Sequence, residues 1–514
     1  MPTTTPAPVR KDSRLRIRMY RQGIGDCFLL TFEGGDQPRH ILIDCGVLSG
    51  SPGGKAMIKK IAENIRLETG GGKGKLDALV VTHEHWDHVS GFHDAREIFD
   101  KMDIKEIWLA WTEDPDNPLA RHMKARNQLK LQAVHLALTQ LANAKDPQAR
   151  FYGQGISGLM GFFGGPTEGA TLAAFSEKTQ EAMDKVTKRT PSPTYWKPGD
   201  LIERNWLPEV RVYVLAPPLD QTMLKKMAGR VGTDIYELAG ADGTFSLALE
   251  GMLAAAGDES ADSNLADRVD AALPFHPSLQ WRDEDQLGNH PQFGQLFKNY
   301  QAGELSWRRI DHDWLLSAAR LGLQLDNATN NTSLVLAFEL TGTDEVLLFA
   351  ADAQIGSWKS WLPLEWNVGK DAKAKTFKTP DLLKRTVFYK VGHHGSHNAT
   401  LKEGGLEAMT SPALVAALPL NQDFANNSKH WDMPAPGLYA RLQQQTRGRI
   451  LRADAAWPAS DDPPPQVPKI ADEQPPRVLS KKDWQRFTQA VELDPDDLFI
   501  DYFIATRRSS KPWR

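Results

Sequence analysis

Apolar residues recur along this chain with two periods, and the switches between them divide it into elements. Leu15–Tyr20 alternates apolar and basic side chains, as a strand with two different faces does. Phe28–Glu33 and His40–Ile43 are apolar runs parted by the break Gly34-Gly35-Asp36, so the chain opens as a β-meander. Over Lys55–Arg66 the period lengthens: Met57, Ile58, Ile61 and Ile65 share one face of a helix, which the stretch Gly70–Lys75 ends. Leu76–Thr82 is apolar and β-branched and reads as a buried strand. A helix over Gly91–Met102 and a strand over Ile104–Trp111 complete an α/β unit.

From Thr112 the texture changes. Leu119–Ala144 and Thr167–Lys188 predict helices, and the Gly/Phe-rich stretch Gly153–Gly165 between them reads as a flexible loop. Strand character returns over Tyr195–Pro218 and is strongest at Val210–Ala216. Residues 219–325 have charged helical stretches and no period-2 run, so two mostly helical insertions are expected, at about 112–194 and 219–325. A polar turn, Asn327–Asn331, precedes strands at Ser333–Leu340, Glu345–Ala350, Thr386–Val391, Ala413–Leu418 and Arg449–Ala453, with a helix at Gly437–Gln445. These place one α/β domain at 14–457. Residues 1–13 read as a disordered Pro/Thr-rich start, 458–477 as a Pro-rich linker, and 478–514 as an extension. That extension holds a helix with a capping box at Ser480–Asp483, an edge strand at Leu498–Ala505 and a basic tail.

Composition narrows the class. With 514 residues, 41% hydrophobic and 25% charged, the chain can bury a large core. A formal net charge of -4 offers no global basic footprint for nucleic acid. Two cysteines, Cys27 and Cys45, exclude a disulfide framework and fit a reducing compartment. No run approaches the ~20 apolar residues of a membrane span, so a cytoplasmic protein is expected.

The chemistry sits at strand ends. His83, His85, Asp87 and His88 follow the run Leu76–Thr82 directly, and three of the chain's 14 histidines fall among them. Imidazole and carboxylate are the ligands that Zn²⁺, Mn²⁺ and Fe²⁺ accept. A tight loop would turn His83 and His85 toward one ion and Asp87 and His88 toward another. Asp44, Asp352 and the pair His393/His394 also end apolar strands, and strand ends at one sheet edge converge in space. A dinuclear site is therefore expected, with Asp352 bridging through both oxygens and His393, the first histidine after its strand, completing the second ion. Taken singly, Asp352 also reads as a turn residue and His393/His394 as a loop pair. His40, His93, His122 and His135 stand alone and read as surface or helix-face histidines.

His83-Glu-His-Trp-Asp-His88 resembles the HxHxDH signature of the metallo-β-lactamase fold superfamily. Gly25-Asp26-Cys27, Leu42–Gly46, Val214–Pro218, Asn331–Leu336 and Lys390–Ser396 resemble one branch of it, the soluble domain of the DNA-uptake protein ComEC. The resemblance implies an αββα sandwich with two divalent metal ions, Zn with Mn or Fe as alternatives. It implies His83 and His85 on metal 1, Asp87, His88 and His393 on metal 2, Asp352 between them, and Asp44 orienting a ligand histidine. His394, Ser396 and His430 would face the substrate. The third histidine that many members place on metal 1 has no clear counterpart: His276, His290 and His312 lie in an insertion, and Asn331 stands near a polar position of the ComEC type. ComEC's membrane channel has no equivalent, so a transport role does not carry over.

The implied reaction is hydrolysis by a water held between the ions, oriented by Asp87 or Asp352, with His394 or His430 protonating the leaving oxygen. The expected substrate is a phosphate ester, including nucleic acid, with Lys390, His394, Ser396, His397, Lys429 and His430 as phosphate donors. Two alternatives stand beside this phosphodiesterase or nuclease. One is a hydrolase of a lactone, thioester or amide; the other is a non-catalytic protein that binds a partner through its insertions.

Overall fold

The computed structural model describes residues 13–33, 37–142, 147–165, 173–189, 192–226, 234, 284–302, 316–369, 374–457, 462–468 and 478–505. Residues 1–12 of the expected disordered start, the break at Gly34–Asp36, most of the Pro-rich linker, the basic tail, His276 and His312 lie outside them, while Ser13 opens the first strand. The described residues fall into two units, one drawn from 1–122, 161–239 and 326–514, the other from 123–160 and 240–325. In the second unit the regular elements described are helical, among them Pro147–Met160 and Gly294–Gln301.

The first unit is built on two sheets. The strands β1 (Ser13–Tyr20), β2 (Phe28–Phe32), β3 (Arg39–Ile43), β4 (Ala78–Val80), β5 (Ile107–Ala110) and β6 (Thr194–Trp196) form most of one. The other holds β7 (Leu201–Glu203), β8 (Val210–Ala216), β9 (Val335–Leu340), β10 (Glu345–Phe349), β11 (Thr386–Lys390), β12 (Val415–Leu418) and β13 (Ile450–Arg452). Two late strands, β14 (Val491–Leu493) and β15 (Phe499–Ala505), return to the first sheet. The orders are β14-β15-β1-β2-β3-β4-β5-β6 and β13-β12-β11-β10-β9-β8-β7. Each sheet has an antiparallel half followed by a parallel half, β3 to β6 in one and β10 to β13 in the other.

One apolar cluster joins the two sheets: Leu15, Ile17, Met19, Phe28, Leu30, Ile43 and Val80 meet Val212, Leu336, Phe338, Phe349, Phe388 and Val415. Burying each such side chain contributes roughly 1.5–3 kcal/mol. The far face of the first sheet is covered by α1 (Gly54–Glu68) and α2 (Trp86–Asp94) through Ile58, Ile61, Ile65, Val89 and Phe92. Helices at Ile355–Trp361, Thr379–Lys384 and Pro436–Thr446 lie against strands of the second sheet. The architecture is the αββα sandwich that the resemblance implies.

The basic face of β1 is buried. Arg18 donates from Nε and Nη2 to both carboxylate oxygens of Asp501 at 2.8 and 2.7 Å, and Arg16 reaches Glu68 at 2.7 Å. The Arg18–Asp501 pair ties β1 to β15, which bonds β1 on one side and β14 on the other and so is not the expected edge strand. Three further expectations are corrected. Asn327–Asn330 finish a helix, α3 (Leu316–Asn330), instead of forming a turn. The Gly/Phe-rich stretch is a helix followed by the short turn Gly161–Phe163, whose aromatics are buried. His40 is a buried residue of β3, not a surface one.

Candidate metal centre

Both parallel halves end at the site. Asp44, just past β3, has φ 55° and turns its carboxylate back along β4. Its Oδ1 accepts from the Thr82 N–H at 2.8 Å, and its Oδ2 accepts from Thr82 Oγ1 at 2.7 Å and from His88 Nδ1 at 2.8 Å. His88 is thereby fixed with Nε2 facing inward. Asp87 and His88 do not lie on a loop: the His88 and Val89 N–H groups both donate to the His85 carbonyl, which puts them in the first turn of α2. The cluster also rests on backbone. Asp26 N–H donates to the Asp87 carbonyl at 3.0 Å and Cys45 N–H to the His88 carbonyl at 2.9 Å. A Cβ on Gly46 would overlap the Asp87 carbonyl and the His88 nitrogen, so only glycine fits there.

The second sheet contributes through bent strand ends. Ala351, His393 and His394 have φ of 47°, 39° and 52°, left-handed values that cost of order 1–3 kcal/mol each for a non-glycine residue. The double left-handed step after β11 swings His394 back into the molecule. Its Nδ1–H donates to the Pro419 carbonyl at 2.7 Å, which turns Nε2 toward Asp87 Oδ2 at 2.9 Å and Asp352 Oδ2 at 3.6 Å. His88 Nε2 is 3.2 Å from that same Asp352 oxygen. His393 Nε2 stands farther off, at 4.0 Å, with its Nδ1 against Gln354 Nε2 at 3.3 Å.

Lys390 closes the back of the set. Its ammonium donates to the Ala351 carbonyl at 2.8 Å and to Asp352 Oδ1 at 3.2 Å, and it pairs with Asp26 Oδ2 at 2.5 Å. One oxygen of Asp352 is thus engaged, and Oδ2 alone faces the interior. Opposite, His83 sets Nδ1 near Thr82 Oγ1 and Ser333 Oγ at 3.1 and 3.3 Å. His85 lies 3.8 Å through Nε2 from Oδ1 of Asp326, on the last turn of α3.

These residues are at most 4% exposed, and many of their polar atoms have no hydrogen-bond partner: His83 Nε2, both His85 nitrogens, Asp87 Oδ1, His88 Nε2, Asp326 Oδ1, Asp352 Oδ2 and His393 Nε2. Each such atom costs about 1–3 kcal/mol if left unsatisfied. The donors are imidazole nitrogens and carboxylate oxygens, so divalent cations fit the set. Asp26, His88, Asp352 and His394 bring one ligand atom apiece to within 4.8 Å of each other.

Protonation divides the histidines. Burial lowers His83 well below the ordinary value, with His88 and His85 adding to it, and takes His85 to about 3 and His393 to about 4. Burial also opposes charge on His88 and His394, yet Asp352 and Asp87 outweigh it and raise both. Asp352 is held well below the carboxylate range, since His88 and Lys390 overcome its burial.

The other expected residues lie around this set. Asn331 uses its amide on backbone, donating to the Leu224 and Lys226 carbonyls and accepting from the Gln354 and Ser357 N–H groups. Ser396 donates to Asn398 at 3.0 Å, His397 is half-buried and His430 is exposed. His290 is half-buried in the other unit. Sequence reasoning passed over Asp326 and gave Asp26 no role. It also missed an aromatic roof: Phe162 stacks on Trp431 with centroids 5.1 Å apart, and the Phe162 and Phe163 rings lie 5.6 and 4.8 Å from that of His85. The surplus aromatics of Gly161–Phe163 were the signal available.

A family model described as Metallo-beta-lactamase superfamily matches residues 20–172, and members of that superfamily are mostly hydrolases. The match holds Asp26, Asp44 and the His83–His88 cluster, while Asp326, Asp352 and His394 lie beyond it. No curated protein matches the chain. Among the described residues, no helix is long and apolar enough to cross a membrane.

Proposed function

We propose that this chain is a metal-dependent hydrolase acting on phosphodiesters. The observation that carries it is the buried histidine and aspartate set with its unpartnered ligand atoms, at the converging ends of both parallel half-sheets. Asp87, His88 and His394 would hold one divalent ion, His83 and His85 the other, and Asp352 Oδ2 would face both. His394 replaces His393 in this role because its Nε2 is the nearer to Asp87 and Asp352. Ions held there would act as Lewis acids on the scissile centre and lower the pKa of a water.

The protein's own groups set the conditions for that chemistry. Asp44 and the Pro419 carbonyl fix the rings of His88 and His394 so that each Nε2 points inward. Lys390 neutralises Asp26 and one oxygen of Asp352, which lets several carboxylates lie together without a deficit of positive charge. The phosphodiester choice rests on the motifs shared with the ComEC branch and on the suitability of paired ions for in-line displacement. Lys390 is no longer among its supports as a phosphate donor, because its ammonium is engaged internally. The aromatic roof favours a second reading, hydrolysis of a lactone or thioester with an apolar group to place against Phe162 and Trp431. Turnover of bis-(p-nitrophenyl) phosphate and of an aryl ester, in added Zn²⁺ or Mn²⁺, tests both. Phosphodiester cleavage lost in Asp352→Ala supports the first; ester cleavage alone moves the assignment to the second.

A further inference from the structure

Asp326, near the end of α3, lies beside His85 and between the His83–His88 cluster and Asp352 in the chain. It is 4% exposed, and its Oδ1 has no partner while standing 3.8 Å from the equally unpartnered His85 Nε2. Its other oxygen accepts from Asn330 Nδ2 at 3.1 Å, one helical turn on, which sets the direction of the free one. The end of α3 is tied to the strand that carries His83: Leu334 N–H donates to the Thr82 carbonyl at 2.8 Å, and Ser333 Oγ lies 3.3 Å from His83 Nδ1. Asp326 is therefore held opposite His85 by the same segment that holds His83.

A carboxyl there, with no donor on Oδ1 and two more carboxylates nearby, is poorly placed as a purely structural group. Burial pushes it well above the usual carboxylate range, and Asp87 and Asp352 push it further. A cation between Asp326 and His85 would relieve both orphaned atoms at once.

We infer that Asp326 is a ligand of the first ion, completing with His83 and His85 a set of two imidazoles and one carboxylate. The inference rests on the two-ion reading above and deepens it. Two imidazoles with one carboxylate make a harder donor set than three imidazoles, one that suits Mn²⁺ and Fe²⁺ relative to Zn²⁺ better than the all-histidine arrangement does.

The test counts metal directly. Chelated protein is titrated with Zn²⁺ alone and with Mn²⁺ alone, bound ions are measured by elemental analysis, and thermal midpoints are recorded with and without metal. Wild type is expected to take two ions per chain. Asp326→Asn should keep one and bind the other more than about tenfold more weakly, while its metal-free midpoint equals or exceeds that of wild type, because an unpaired buried acid has gone. Asp326→His should regain two ions with a raised ratio of Zn²⁺ to Mn²⁺ affinity. Two ions bound with unchanged affinity in Asp326→Asn overturn the assignment, as does a metal-free midpoint several degrees below wild type, which marks a structural role. A wild type that binds no ion overturns the two-ion reading itself, a separate failure.

Discussion

His88 and His394 are each fixed by an acceptor from elsewhere in the fold, Asp44 and the Pro419 carbonyl, whereas His83 is braced by its neighbour Thr82 and by Ser333, and His85 has no hydrogen bond at either nitrogen. The electrostatics follow the same division. Carboxylates surround His88 and His394 and favour their protonated forms, while burial keeps His83 and His85 neutral. Without metal, the region around Asp87, Asp352 and His394 is a network of opposite charges, and the region around His85 is a neutral imidazole with neither nitrogen hydrogen-bonded, its Nε2 3.8 Å from Asp326 Oδ1. One residue type, a few ångströms apart, thus serves as a charge partner in one place and as a ready ligand in the other.

That contrast can be broken most severely at Asp352. Asp352→Ala leaves Lys390 and His88 buried against one fewer carboxylate, and denaturation of the metal-free protein should show a loss of about 3–5 kcal/mol, the range for breaking a buried ion pair. Unchanged stability would mean that the charge network is not what holds this region. Next comes Gly46→Ala, whose added methyl overlaps the backbone of Asp87 and His88. Roughly 3 kcal/mol should be lost to overpacking, with ion binding by Asp87 and His88 lost more than that by His83 and His85.

A smaller effect separates the adjacent histidines. His394→Ala should weaken one ion on the order of 100-fold and His393→Ala by under about threefold; the reverse order would return the ligand role to His393. The smallest effect is in protons. Binding at His88 and His394 must displace protons that their raised pKa values retain near neutral pH, so affinity there should rise with pH through that region. Above about 6.5, the ordinary histidine value, His83 and His85 are already neutral and release no proton, so the one proton that binding there can displace is that favoured on the buried Asp326 carboxyl. Calorimetry in two buffers of different ionisation enthalpy reads the difference, and equal proton release at both positions would remove the distinction.

Much of this was legible in order along the chain. Period-2 and buried-run patterns locate most of the sandwich strands to within a few residues, because alternation and β-branching act through neighbours on one strand, while the short β14 was read as the end of a helix. The cluster His83–His88 marks a metal site for a similar reason: its ligands are so close in sequence that almost any turn brings them together. Asp44 and Asp352 were visible as carboxylates at strand ends. Three things were decided by the tertiary structure alone. Whether His393 or His394 faces the site depends on two left-handed residues, a backbone choice paid for by packing and invisible in a pattern of residue types. Lys390 looks like a phosphate donor until the fold sets Asp26 and Asp352 against it. Asp326 is one acid among many on a mixed helix, and only the path of the chain back to Thr82 puts it beside His85. Local chemistry determines elements and short motifs, while the pairing of residues far apart in sequence follows from how the sheets close.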